Sequence, residues 1–270
     1  MREDVGARRD QGQGQRAFRL GANVIAYATG LEKPRDKGDL VKVADQEPPP
    51  VQRGFLEAAQ LQHGGEWHPA PKAMQDLMTE ARAAGLDVVV KSKAVDDGVN
   101  PTSPDVTRYR FLYMHGRGAF SYQPTELEHL RFDLTENGAL LFADACCGNK
   151  EFDASFRKFV DEIWPDGKDK PKLQPIPPDD ELFSAELNGK RIDKVMCRRE
   201  TADGKGVESE FHSVAPALEG VKINGRWVVI YSRYDVGCAL EKHTSSDCLG
   251  HDHQSALRLA AAAVLYELKK

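Results

Sequence analysis

Asn137-Gly138-Ala139-Leu140-Leu141-Phe142-Ala143-Asp144-Ala145-Cys146-Cys147-Gly148-Asn149 is the stretch whose reading decides the fold. Asn137-Gly138 stops a helix. The apolar run from Ala139 to Ala143 is short and bounded by turn signals, which marks a buried strand. Beyond Gly148, Phe152, Phe156, Phe159, Val160 and Ile163 recur at helical spacing and give the clearest amphipathic stripe in the chain.

Upstream the same alternation repeats. Pro124 opens a helix with Leu127, Leu130 and Leu134 on one face, and Phe111 to Met114 reads as another buried strand. Val88-Val89-Val90 is a third. Pro71 sits at a helix start, where its missing N–H is harmless. Met74, Leu77, Met78 and Ala81 form that helix's stripe and Gly85 ends it. Phe55 to Leu61 is a weakly alternating strand. Strands alternating with helices imply parallel strands with right-handed crossovers. The expected fold is a three-layer α/β sandwich with a mostly parallel sheet.

Downstream the rhythm breaks. Residues 165–178 hold five prolines and predict an extended surface excursion. Asn224-Gly225 between two apolar runs predicts a hairpin, because a type I′ turn needs two positive φ angles. A last helix, capped near Asp252, is expected to pack Leu257, Ala261, Val264 and Leu268.

The first fifty residues stand apart: a polar start, a helix from Ala17 to about Ala28, and a linker closed by Pro48-Pro49-Pro50. Ala17 to Tyr27 echoes Ala256 to Tyr266, with Ala, Arg, Leu, Ala and Tyr matched at fixed offset. The echo suggests the last helix of a preceding tandem copy. The complete domain then spans 51–270, and any export signal lies upstream of Met1.

The chain has 270 residues, enough for a sizeable core. Its net charge of -5, with both signs mixed, argues against nucleic acid as partner. No run reaches the ~18 apolar residues of a membrane span. Five cysteines leave at least one thiol unpaired within the chain.

Ligands bind beyond the carboxyl ends of strands in open α/β sheets. Four loops follow strands here, and each is chemically unusual. The first is His63-Gly64-Gly65-Glu66-Trp67-His68, which offers His63 as an acid–base group and Glu66 as a ligand contact. The second is His115-Gly116-Arg117-Gly118. Its histidine is a candidate base, its glycines suit a close backbone approach, and Arg117 suits a carboxylate or phosphate. The third is Asp144 to Asn149. A strand running into Cys146-Cys147-Gly148 and a helix has the form of a nucleophile elbow, where a helix N-terminus favours the thiolate. Space-filling buried cysteines are the competing reading. The carboxylate of Asp144 is expected to push a nearby thiol up.

The fourth loop runs from Asp235 through Cys238, Glu241, His243, Cys248, His251 and His253. A Cys238–Cys248 disulfide, or a cross-loop disulfide to Cys146 or Cys147, is preferred there. Zinc held by Cys238, Cys248, His243, His251 and His253 is the alternative, although the spacing matches no standard module. No other cofactor is expected. Cys197 receives no role.

The runs Phe111 to Gly116, Leu141 to Gly148 and Tyr234 to Glu241 resemble a bacterial domain family of unknown function. That family is grouped with the class I glutamine amidotransferase-like fold, a flavodoxin-like sandwich. The resemblance covers roughly Arg53 to the C-terminus and implies that fold. Members often carry export signals or sit in longer exported or membrane-attached proteins, so an exported or periplasmic location is expected if the natural chain is longer. It implies no established activity. Class I amidotransferases carry Gly-x-Cys-x-Gly at the elbow. Cys146 and Gly148 fall in register with it, but Asp144 replaces the first glycine and no His-x-Glu pair follows. Glutamine hydrolysis is therefore not expected.

Three functions remain open. One is a binding module whose partner is a small polar ligand or a protein, held by Glu66, Arg117, Asp144, Asp235 and Glu241. Another is a cysteine hydrolase with Cys146 or Cys147 as nucleophile, a histidine base and the Gly-rich second loop as oxyanion site. The last is a Cys/His metal-binding domain.

Overall fold

A computed structural model describes residues 56–83, 97–165, 170–243 and 245–270, with the side chains of 81–83 left aside. All of these belong to the compact unit Gln52–Lys270. The early helix, the proline linker, Phe55, Gly85 and the Val88–Val90 strand lie outside the described residues.

The strands are β1 (Ala58–Gln60), β2 (Phe111–Gly116), β3 (Leu140–Ala145), β4 (Gln174–Pro175), β5 (Val195–Cys197), β6 (His212–Val214), β7 (Leu218–Ile223) and β8 (Arg226–Ser232). The helices are α1 (Ala73–Ala83), α2 (Pro124–Thr135), α3 (Lys150–Ile163), α4 (Ala185–Asn188), α5 (Gly237–Leu240) and α6 (His253–Lys269). Six strands form one sheet in the order β1-β2-β3-β8-β7-β4, and β5 pairs with β6 apart from it. β1, β2, β3 and β8 run parallel. β7 is antiparallel to β8, and β4 to β7.

Alternation along the strands builds two cores. Phe111, Tyr113, Leu140, Phe142 and Ile230 face Met74, Leu77 and the α6 residues Ala256, Leu259, Ala260 and Ala263. Leu112, Met114, Leu141, Ala143 and Tyr231 face Leu130 and Leu134 of α2 and the whole expected α3 stripe. Helices therefore cover both faces of an α/β, mostly parallel sheet. Among the described residues no helix is long and apolar enough to cross a membrane.

Three expectations need correction in detail. α1 begins at Ala73, two residues after Pro71. The proline-rich segment is not wholly detached, because Gln174 and Pro175 pair at the sheet edge and Ile176 is buried. An edge tolerates Pro175, which has no N–H to give a ladder. In α6 the buried face is Ala256, Leu259, Ala260, Ala263, Val264 and Tyr266, whereas Leu257 and Ala261 are half-buried and Leu268 is exposed. The alanines let the helix lie close to the sheet, and the Tyr266 hydroxyl accepts the N–H of Trp227 at 3.0 Å. That anchor fixes a face that leucine spacing alone does not mark. The hairpin forms as expected, with φ of 49° at Asn224 and 80° at Gly225.

Asp133 on α2 is buried, and only one of its oxygens has a partner, the Asn137 amide at 2.7 Å. Burial pushes its carboxyl up to about 6, against the Asn137 hydrogen bond and the Arg110 charge. A raised pKa means the folded state holds the proton better. The stabilisation is complete below the unfolded value of roughly 4 and is lost as pH rises through about 6. Asp133→Asn mimics the protonated form. It is expected to be about 1–2 kcal/mol more stable than wild type near pH 7.5 and equal to it near pH 4. Urea midpoints at both pH values check this, and a difference independent of pH would refute it.

Candidate functional site

Because β1, β2, β3 and β8 are parallel, the four unusual loops leave the same edge of the sheet. The register then does the next step. His115 of β2 lies opposite Asp144 of β3. Their side chains point to the same face as Tyr113 and Phe142, and His115 Nδ1 meets Asp144 Oδ2 at 3.0 Å. Asp144 also accepts from the Tyr113 hydroxyl (2.8 Å) and from the backbone N–H groups of Val236 (2.9 Å) and Gly237 (3.1 Å). The Tyr113 ring stacks beside the imidazole at 5.9 Å between centroids. A Cβ on Gly237 would lie 2.8 Å from the His115 ring, so the loop after β8 can pass here only as glycine.

Cys146 follows β3 in a 3₁₀ turn, Cys146–Gly148, and Asn149 caps α3 by accepting from Glu151 and Phe152 N–H. Strand, sharp turn and helix thus follow as expected. The positive φ of the turn falls on Cys147 (49°) and Gly148 (65°). Cys147 is bridged to Cys248, a cross-loop disulfide that ties the β3 loop to the loop before α6. The Cys238–Cys248 pairing does not form. Cys146 and Cys238 are free, with their sulfurs 3.4 Å apart. Arg117 Nη2 donates to the Cys146 sulfur at 3.5 Å.

These neighbours set the thiol. The hydrogen bond from Cys238 is the largest influence on Cys146, joined by the His115 imidazolium and the hydrogen bond from Arg117, and together they hold it down at about 4 against burial. Donating that bond, and burial, push the Cys238 thiol up. Burial opposes a charge on His115, but the charge and hydrogen bond of Asp144 raise it well above the ordinary histidine value. Asp144 itself is held low by His115 and by the Val236 and Gly237 amides, against its burial. The expectation that Asp144 would raise the thiol is therefore reversed. Its carboxylate is turned to the imidazole, and its charge reaches Cys146 as an imidazolium.

Asp235 sits behind the thiols. Its oxygens accept from Cys147 N–H at 2.7 Å and Ala239 N–H at 3.1 Å, and burial with the Asp144 charge pushes it up to about 6. One ring nitrogen of His115, the sulfurs of Cys146 and Cys238 and an Asp235 oxygen all lie within 4.8 Å of one another. Nδ1 belongs to Asp144, which leaves Nε2 to this cluster. Nε2 is buried and has no hydrogen-bond partner. A cavity of about 380 Å³ opens over the sulfurs, with Arg117, Asn149, His243, Ser245 and Asp247 on its walls.

Other candidates have other work. His63 accepts from Gly65 N–H through Nδ1 and meets the His115 carbonyl through Nε2, and burial lowers it to about 4. It braces the loop instead of facing a thiol. The N–H groups of Arg117 and Gly118 both donate to the Gly65 carbonyl, so these amides are not free to form an oxyanion site. Glu66 is exposed, and Glu241 accepts from the backbone N–H of Lys72 ahead of α1. His251 and His253 turn Nδ1 to the carbonyls of Asp235 and Ala239, and Cys248 is in the disulfide, so three members of the alternative zinc set have other partners. Cys197 is a buried free thiol that burial pushes up to about 12.

Sequence reasoning missed Tyr113, and it offered Cys238 to Cys146 only as one of several cross-loop disulfides, whereas the two are free thiols in contact. Tyr113 had a signal, since it precedes His115 by two residues and therefore shares its face. The Val236 and Gly237 amides carried none.

A search of curated proteins finds no match to this chain. The model of a family described as a domain of unknown function (DUF4159) matches residues 57–268. That span holds all of both cores but Leu56, the four loops and every residue of the thiol cluster, and the chain belongs to the DUF4159 family.

Proposed function

We propose that this domain is a cysteine-dependent hydrolase of small polar acyl compounds, on a flavodoxin-like scaffold of the class I glutamine amidotransferase type. One observation carries the reading: Asp144 holds His115 by Nδ1, and the free Nε2 lies beside the Cys146 sulfur. This is the order of roles in a nucleophile–base–orienter relay. Asp144 fixes the tautomer and balances the imidazolium. The Cys146 thiolate attacks the acyl carbon, and His115 Nε2 gives its proton to the leaving group. His115 then takes a proton from water, which hydrolyses the thioester and regenerates the thiolate–imidazolium pair. Arg117 and the Asn149 amide, on the cavity wall, are side-chain donors to the developing oxyanion. The base comes from β2 and not from a C-terminal His-x-Glu pair, so glutamine is not the favoured substrate.

The test is alkylation of native, chelator-treated protein by iodoacetamide at neutral pH, with labelled cysteines mapped by mass spectrometry. Cys146 is expected to react up to ~30-fold faster than an ordinary thiol of pKa ~8.5, the ratio of thiolate fractions at pH 7. His115→Gln should reduce that advantage while Cys197 stays unreactive in both. A panel of activated esters then reports turnover lost in Cys146→Ser. If Cys146 is as slow as Cys197, the site is a binding edge without nucleophilic chemistry.

A further inference from the structure

Cys238 has no part in the attack just described. A hydrolase needs one thiol, yet a second lies 3.4 Å from the first, and both border the cavity. The surroundings are anionic and dry. Exposure is 0% for His115, Cys146 and Asp144, 1% for Asp235 and 5% for Cys238. Two carboxylates and two thiols thus surround a single imidazole. The imidazolium and the Arg117 guanidinium offset part of this negative charge, and a cation held among the donors would offset the rest. The imidazole also presents a buried nitrogen with no hydrogen-bond partner toward the sulfurs.

We propose that His115 Nε2, the sulfurs of Cys146 and Cys238, and the carboxylate of Asp235 form a tetrahedral site for a soft divalent cation, zinc above all. Zinc–sulfur bonds of about 2.3 Å place two thiolates ~3.8 Å apart in a tetrahedron. The sulfurs are already 3.4 Å apart, and all four donors lie within 4.8 Å of one another. Closing on an ion therefore takes small side-chain shifts. A thiolate pair with imidazole selects zinc over magnesium or calcium. The outer shell is also in place. Asp144 holds His115 Nδ1 as the carboxylate of a carboxylate–histidine–metal triad does. Asp235 keeps a lone pair on each oxygen beyond the amide bonds it accepts. The cavity gives the ion its route in. Binding rests on the cluster alone. Only its consequence rests on the hydrolase reading: a coordinated Cys146 cannot attack, so zinc silences the enzyme.

The experiment uses the full chain, purified anaerobically without thiol reductant so that the Cys147–Cys248 bridge stays closed, and stripped by a chelator. Cobalt(II) is the first probe. One equivalent is expected to give a sulfur-to-cobalt charge-transfer band and the intense visible bands of a tetrahedral centre, both erased by one equivalent of zinc. Cys238→Ser should weaken the charge-transfer band. Asp144→Asn, which touches no metal, should reduce zinc affinity by roughly 10–100-fold. Absence of a sulfur-to-cobalt band, or a band unchanged in Cys238→Ser, overturns the proposal. So does recovery of a Cys146–Cys238 disulfide from protein prepared anaerobically with zinc present. Alkylation of Cys146 in metal-free Cys238→Ser protein reports the nucleophile separately, so either reading can fail while the other stands.

Discussion

Asp144→Ala is expected to lower the unfolding free energy by about 3–5 kcal/mol, the range seen when one partner of a buried ion pair is removed. Asp144 is fully buried and takes four donors at once: the Tyr113 hydroxyl, His115 Nδ1 and the amides of Val236 and Gly237. Alanine offers none of them an acceptor. Each orphaned donor adds a desolvation penalty, and the imidazole loses its counter-charge. Asp144→Asn keeps the shape and one acceptor, so roughly half that loss is expected. Urea unfolding measures both, with the slope unchanged if the fold is kept. The asparagine variant should also alkylate Cys146 more slowly, because its amide no longer holds a charged imidazole beside the sulfur. An alanine variant within 1 kcal/mol of wild type would mean that the four-donor network does not form.

Much of this architecture was legible because it rests on periodicity. The run Ala139 to Ala143, the α3 stripe and the Asn224-Gly225 turn each carry a local pattern that tertiary contacts only reinforce. The common edge of the four loops followed from the parallel order. What was not legible depends on register and on long-range closure. His115 and Asp144 are 29 residues apart and meet only because Tyr113 pairs with Phe142. Two signals were available and were not used. Tyr113 and His115 stand two apart on β2, while Asp144 and Cys146 stand two apart at the end of β3, so each pair shares a face. That reading would have separated Cys146 from Cys147 and put the carboxylate with the histidine. The Cys147–Cys248 bridge was legible only as one of several cross-loop pairings, because both the Cys146-Cys147 pair and Cys248 lie in loops whose approach is set by the whole sheet.

That closure makes the second large prediction. Cys147 and Cys248 are 101 residues apart in sequence, so their bridge removes many conformations from the unfolded chain. Measured bridges contribute about 2–4 kcal/mol, and the loop-entropy account puts one of this span somewhat higher, at about 4.7 kcal/mol. The double variant Cys147→Ala/Cys248→Ala is expected to lose that amount. Wild type with reductant should lose it too, and the double variant should then be indifferent to reductant. The reactivity of Cys146 should respond differently. His115 and Asp144 stand on the paired central strands β2 and β3, not on the loops the bridge ties. The relay is therefore expected to survive in the folded double variant, with Cys146 alkylation within a few-fold of wild type. A loss of rapid labelling without a loss of stability would reverse this assignment. It would mean that the bridge positions the nucleophile and contributes little to the fold, which the long closed loop argues against.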